Sequence, residues 1–354
     1  MTVIFVGAGV AVLLLLLVDV VQTVFVPRGD AGPITRRVHR TVWATGRALV
    51  RDGRRSRRLL GLVGPVLLPL TVLLWAVELV LGFALVYLPL AERFVLPDGG
   101  STPNPAALAL YVSGYAATTL GVGDVHAGDT LLRLLVVLEA GWGFAVFSVG
   151  IAYAMSVFSG LSQSTALAHE ISTYLDTDEL EILSAATRGS AAAEQEPVTW
   201  LAGVAGRLAQ VAEAQEQYAL LAYFHVPDDA RALPVAVTRL LELLTVSRSM
   251  VDPARAPQLT DGPTVRFAAR TAVAHVLSRA HAVGGQAAPE AQVRDERGRA
   301  GARALAHLRQ AGVPLRSDGR AEAVYAELRA EWDAASSALL RHFAYGPAAA
   351  TEHG

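Results

Sequence analysis

The chain has 354 residues, 53% of them apolar and only 18% charged, with a mean hydropathy of +0.38. That is too oily for an ordinary soluble protein of this length, so a membrane class is expected. The formal charge of −2 gives no reason to expect a nucleic-acid partner, and the lack of cysteine excludes disulfides, thiolate metal sites and cysteine nucleophiles.

Residues 1–26 form an apolar run broken only by Asp19 and Gln22, long enough to cross the ~30 Å hydrocarbon core of a bilayer as a helix. No basic segment precedes the run and no small-x-small site follows it, so it reads as an uncleaved span. Residues 27–58 carry ten Arg against Asp30 and Asp52, an excess that places this segment in the cytoplasm and the N-terminus outside. Within it Ile34, Val38, Val42, Thr45 and Leu49 recur at spacings of three and four, with Arg36, Arg37, Arg40, Arg47 and Arg51 opposite. That pattern predicts a helix lying on the inner membrane surface. A second apolar run, 59–90, contains Pro65, Pro69 and Glu78; a third, 130–158, contains Arg133 and Glu139. Both are long enough to span, which puts residues 91–129 outside and everything after 160 in the cytoplasm. Carboxylates within a span cost about 2.5–3.5 kcal/mol each at a helix centre, so Asp19, Glu78 and Glu139 need partners. Pairing of Glu139 with a neighbouring helix is expected, and Asp19 is placed to meet the Arg-rich segment.

The external segment carries the functional signal. Asn104 can cap a helix and Pro105 suits its first turn. The mildly apolar residues that follow to 117 are too few to span, which suits a re-entrant half-helix. Then comes Thr118-Thr119-Leu120-Gly121-Val122-Gly123-Asp124. Alternate glycines accept backbone conformations that other residues avoid, so successive carbonyls can face the same side. Rings of such carbonyls can replace the water around a cation, and the negative end of the half-helix would favour one there.

These residues, flanked by two spans, resemble the pore loop of the potassium channel superfamily in its two-span-per-pore form. The family signature Thr-Val-Gly-Tyr-Gly-Asp aligns with Thr119-Leu120-Gly121-Val122-Gly123-Asp124, and Thr118 is also of the family type. The resemblance implies a pore helix at 104–117, a filter at 118–124, and potassium held by Thr119, Leu120, Gly121 and Val122, with Gly123 next and Asp124 at the outer mouth. It also implies a homotetramer in a prokaryotic plasma membrane, no cofactor beyond permeant potassium, and no enzymatic activity. Val122 stands where the family carries a tyrosine that braces the filter, Tyr115 stands where some members carry a carboxylate, and the half-helix lacks Trp. Gly143 falls at the family's hinge position, with Phe144, Phe147 and Ile151 facing the cavity. A weakly selective cation pore and a non-conducting, membrane-anchored sensor are the alternatives.

Residues 160–354 alternate helical patterns with Pro and Gly breaks. Asp176-Thr177-Asp178-Glu179 looks like a helix start, and periodic stretches run through Trp200–Leu221, 234–250, 263–283, 300–312 and 320–343. No dinucleotide-binding glycine pattern follows a strand and no hairpin signals occur. The Arg294–Arg299 run reads as solvated, and His225, His275, His281 and His307 as core or surface residues. The expectation is an all-α protein: membrane helices with a re-entrant pore helix and filter, plus a cytoplasmic helical bundle whose ligand the sequence does not name.

Overall fold

The apolar runs become three long helices in the computed structural model, which describes residues 1–26, 30–49, 54–96, 104–176, 179–283 and 290–345. Helices α1 (Thr2–Val24), α3 (Arg54–Tyr87) and α5 (Thr130–Leu175) are each long and apolar enough to cross a bilayer. The described residues are otherwise helical apart from short irregular links, one antiparallel pair, β1 (Phe94–Val95) with β2 (His126–Ala127), and an isolated bridge between Val251 and Leu315. It divides into two compact units. The first comprises residues 1–159 and 216–224; the second comprises 160–215 and 225–354.

In the first unit α1 packs on α3 through small residues. A Cβ on Gly9 would stand 2.6 Å from the Gly82 carbonyl, and one on Gly82 would stand 2.6 Å from a Leu13 methyl. Membrane helices commonly use such close approach, because lipid offers no hydrophobic drive to bring them together. The carboxylate of Asp19, fully buried near the end of α1, collects the N-terminus of α2 (Pro33–Leu49). It accepts from Ile34 N at 2.8 Å, Thr35 N at 3.2 Å, the Thr35 hydroxyl, and Trp75 Nε1 of α3 at 3.1 Å. Asp19 therefore meets the Arg-rich segment, as the sequence suggested, through Ile34 and Thr35, and adds the indole of Trp75 on α3. Gly32 leaves the room for this, since a Cβ there would stand 2.3 Å from Asp19 Oδ1.

Helix α2 exists as expected, but its buried face is Thr35, His39 and Trp43, at spacings of four. Ile34, Val38 and Val42 are only half-buried, because the helix turns its polar Thr–His side toward Asp19 and toward Thr71, whose hydroxyl lies 2.7 Å from His39 Nε2. Arg28, Arg51 and Asp52 of the basic segment lie outside the described residues. Arg54 already belongs to α3, which ends at Tyr87 and runs into a 3-10 turn, Leu88–Arg93. The β1–β2 pair, a bond from Gly128 N to Arg93 O (3.1 Å) and the Arg93–Asp129 ion pair (2.6 Å) close the loop between α3 and α5.

The third apolar helix does not stop at 158. Helix α5 continues unbroken to Leu175, because Ser159–Ser162 contains no proline and Leu167, Ile171 and Leu175 keep the helical period as buried residues. The expected start of a separate region at 160 coincides with the start of the second unit, and the chain crosses that boundary inside one helix.

The second unit centres on α8 (Leu233–Met250), whose Leu240, Leu241, Leu244 and Met250 are all but inaccessible to solvent. Helices α10 (Pro263–Ala282), α12 (Ala321–Ala330) and α13 (Asp333–His342) pack around it. Three expected boundaries move. Helix α7 (Ala191–Gln217) ends before Tyr218 and Leu221, which belong to an irregular segment. The 320–343 stretch divides at Glu331–Trp332, where Arg329 stacks over the Trp332 ring and pairs with Glu242 at 2.5 Å. The Arg294–Arg299 run lies inside α11 (Glu290–Gln310), and its Arg297 makes a two-pronged pair with the buried Asp333 at 2.8 and 3.1 Å. Of the expected start at 176–179, Thr177 and Asp178 lie outside the described residues, and α6 (Glu179–Arg188) follows.

Two outcomes are expected. Replacing Asp19 by Ala strands buried donors on two other helices at roughly 1–3 kcal/mol each, so Asp19→Ala should lose at least about 3 kcal/mol of stability in detergent, read by thermal melting against wild type. In the second unit, burial with Arg279 alongside holds His275 down to about 3, from an ordinary 6.5. The unfolded chain takes up that proton below pH 6.5 while the folded one does not, so this contribution is complete above pH 6.5 and is lost progressively as pH falls toward 3. Melting curves from pH 7 to 5 should show the decline, and His275→Gln should flatten it.

Candidate functional site

Between α3 and α5 lies the short helix α4 (Pro105–Ala117). Asn104 Oδ1 accepts from Ala107 N at 3.1 Å and Pro105 fills the first turn, so the helix begins one residue after the expected 104. Its end is wound tightly: Leu120 N donates to Tyr115 O at 2.9 Å and Thr119 N to Ala116 O at 3.0 Å, with Thr119 in left-handed backbone geometry (φ +55°). This is the closure that ordinarily places glycine at the left-handed position. A threonine there costs roughly 1–2 kcal/mol.

The left-handed conformation then recurs at every second residue, at Gly121 (φ +58°) and Gly123 (φ +80°), while Leu120 and Val122 keep negative φ. All seven residues from Thr118 to Asp124 are exposed on the single chain; Leu120 retains 71% of its accessible surface. Thr118 differs from its neighbours, since its hydroxyl turns back to Gly114 O at 2.8 Å.

Two tyrosines one turn apart on α4 hold the C-terminal end of this segment. Tyr111 donates to Asp124 Oδ2 at 2.8 Å and Tyr115 to the Val125 carbonyl at 2.8 Å, their rings in edge contact. Asp124 Oδ1 also accepts from Val125 N at 2.8 Å. The apolar Val122 side chain takes no part. Tyr115 therefore has a polar task at the place where the resemblance would look for a carboxylate.

A carboxyl does stand behind α4, contributed by α5. Glu139, fully buried, hydrogen-bonds to Ser113, and the Ser113 hydroxyl also lies 2.9 Å from the Val80 carbonyl of α3. One serine thus joins three helices, and Glu139 has the partner on a neighbouring helix that its burial required. Gly143 sits one turn further along α5, directly against the end of α4, where a Cβ would stand 1.9 Å from the Ala117 carbonyl. Helix α5 passes through Gly143 without interruption, so here the glycine serves close packing. Phe144, Phe147 and Ile151 fall on an exposed stripe of α5 that continues through Met155 and Phe158.

The structure thus brings together residues 118–124, the end of α4 and Gly143. The part played by Tyr111, Ser113 and Tyr115 was missed from sequence, whereas Glu139 was expected to pair with a neighbouring helix. The available signal was the i, i+4 spacing of Tyr111 and Tyr115, which puts both on one face of α4.

No family model matches the chain, and no solved structure matches it. It is similar to a Bacillus subtilis (strain 168) protein described as the uncharacterized membrane protein YdjJ, with 25% identity over 242 residues covering 68% of this chain and 69% of that one. With its three long apolar helices, the chain is a membrane protein.

Adding one methyl group at the α4–α5 crossing must move backbone rather than a side chain. Gly143→Ala should therefore lower thermal stability by about 1–3 kcal/mol, and Gly141→Ala, where a Cβ meets nothing within 4 Å, should leave it unchanged.

Proposed function

We propose that the protein is a passive cation channel, preferring potassium, in which four copies place residues 118–124 around one axis. The observation that carries this reading is the exposed backbone of alternating hand at 118–124, held between two apolar helices at the C-terminal end of α4. A single copy offers one such strand with its surface uncovered. A ring of strands supplies the several carbonyls a dehydrated cation needs. In this arrangement Thr119, Leu120, Gly121 and Val122 hold potassium, Gly123 follows, and Asp124 lies at the outer mouth, braced by Tyr111. Phe144, Phe147 and Ile151 line the inner vestibule, an apolar constriction able to close by dewetting.

Non-helical backbone at membrane depth is tolerated where it lines an aqueous path, which agrees with this placement. By the excess of Arg between the first two spans, the N-terminus lies outside, α2 rests at the inner surface and residues after 160 are cytoplasmic, in the plasma membrane of a prokaryote. Val122 favours a second, weakly selective reading, because its side chain cannot brace the filter.

The decisive measurement is the reversal potential of the purified protein in planar bilayers, with potassium on one side and sodium on the other. A value near the potassium equilibrium potential that Gly121→Asp abolishes is the expected result. Reversal near zero would establish the weakly selective pore. Absence of current under all conditions would favour a membrane-anchored sensor. Tyr111→Phe should lower the potassium-to-sodium permeability ratio about fivefold, the equivalent of one hydrogen bond of ~1 kcal/mol.

A further inference from the structure

Residues 216–224 belong to the first unit, although the chain on both sides of them belongs to the second. They run from the end of α7 through a 3-10 turn, Ala219–Tyr223, in which Leu220 and Leu221 are buried. Aromatic side chains anchor the segment at both ends. The Tyr218 ring lies 6.1 Å from that of Tyr153, a fully buried residue of α5, and Tyr153 lies 6.1 Å from Trp75 of α3. The Tyr223 ring meets His39 at 5.5 Å and Trp43 at 5.8 Å, both on α2. Phe224 occupies a seat on α3 that only glycine permits, since a Cβ on Gly64 would stand 2.7 Å from its ring. These edge contacts have the geometry aromatic pairs prefer.

We infer that residues 218–224 are a coupling strap: they set the position of α5 next to its exposed Phe147–Ile151 stripe, and so join the state of residues 160–215 and 225–354 to the opening of the pore. This rests on the channel reading for its consequence, but its mechanical part does not. The strap is covalently continuous with α7 on one side and with the chain leading to α8 on the other, so a shift in either pulls on Tyr218 or Phe224. Tyr153 sits two residues beyond Ile151, so the same helix carries both the strap's contact and the vestibule. Tyr218 and Tyr223 act as positioning residues, and neither touches the ion path.

The chain's lack of cysteine gives the test a clean background. In the full-length protein, Tyr218→Leu and Tyr223→Leu should change open probability at least fivefold while unitary conductance and reversal potential stay at wild-type values. Phe267→Leu, an exposed aromatic of the second unit, is the control and should change nothing. A second readout needs no current: the rate at which a charged methanethiosulfonate modifies Met155→Cys should shift at least threefold when Tyr218→Leu is added. Unchanged open probability and unchanged modification rate in folded protein would overturn the strap. A shifted modification rate in a protein that never conducts would keep the strap and sink the channel reading.

Discussion

A backbone that leaves helical geometry between two apolar helices must find partners for its polar groups, and the first unit is arranged around that demand. The N–H groups of Thr119 and Leu120 close back on α4, the Val125 carbonyl takes the Tyr115 hydroxyl, and Asp124 is held from one side by Tyr111 and from the other by Val125 N. What remains exposed lies in residues 118–124. Thr119, Gly121 and Gly123 there have left-handed backbone, and the whole segment is uncovered on the single chain.

The same rule explains two of the three carboxyls in the apolar helices, Asp19 and Glu139; the expected partner of Glu78 is not found, since the buried Glu78 has no hydrogen bond to either oxygen among the described residues. Asp19 does not look for a cation: it takes backbone donors from the start of α2 and the indole of Trp75, which ties three helices at one point. Glu139 uses Ser113 to the same end behind α4. A carboxylate placed at a helix N-terminus gains from unsatisfied N–H groups as well as from the helix dipole, so Asp19 organises α2 without any Arg. Polar groups that a lipid environment would penalise thus become the joints of the fold.

These joints are distributed so that α4 is held from several directions. Gly143 lets α5 lie against its last turn, Ser113 links it to α3 and α5, and the β1–β2 pair with Arg93–Asp129 closes the loop between α3 and α5. Helix α5, by contrast, presents Phe144, Phe147, Ile151, Met155 and Phe158 along one uncovered stripe. Its Tyr153 is held by a segment returning from far along the chain.

The three long helices, the short capped helix before the glycines and the left-handed backbone at Gly121 and Gly123 are legible in the sequence, whereas that at Thr119 is not. Each of these follows from local physics: apolar length against bilayer thickness, an Asn-Pro start, and the freedom of glycine. Only the tertiary structure decided which polar residues meet. Tyr111 reaches Asp124 across thirteen residues, Ser113 reaches Glu139 across twenty-six, and Trp75 reaches Asp19 across fifty-six. Nor could periodicity show that α2 buries its Thr–His side, or that residues 216–224 join the first unit, because pattern along one helix reports which face is apolar, and a buried polar face is chosen by the donors and acceptors that other helices bring to it.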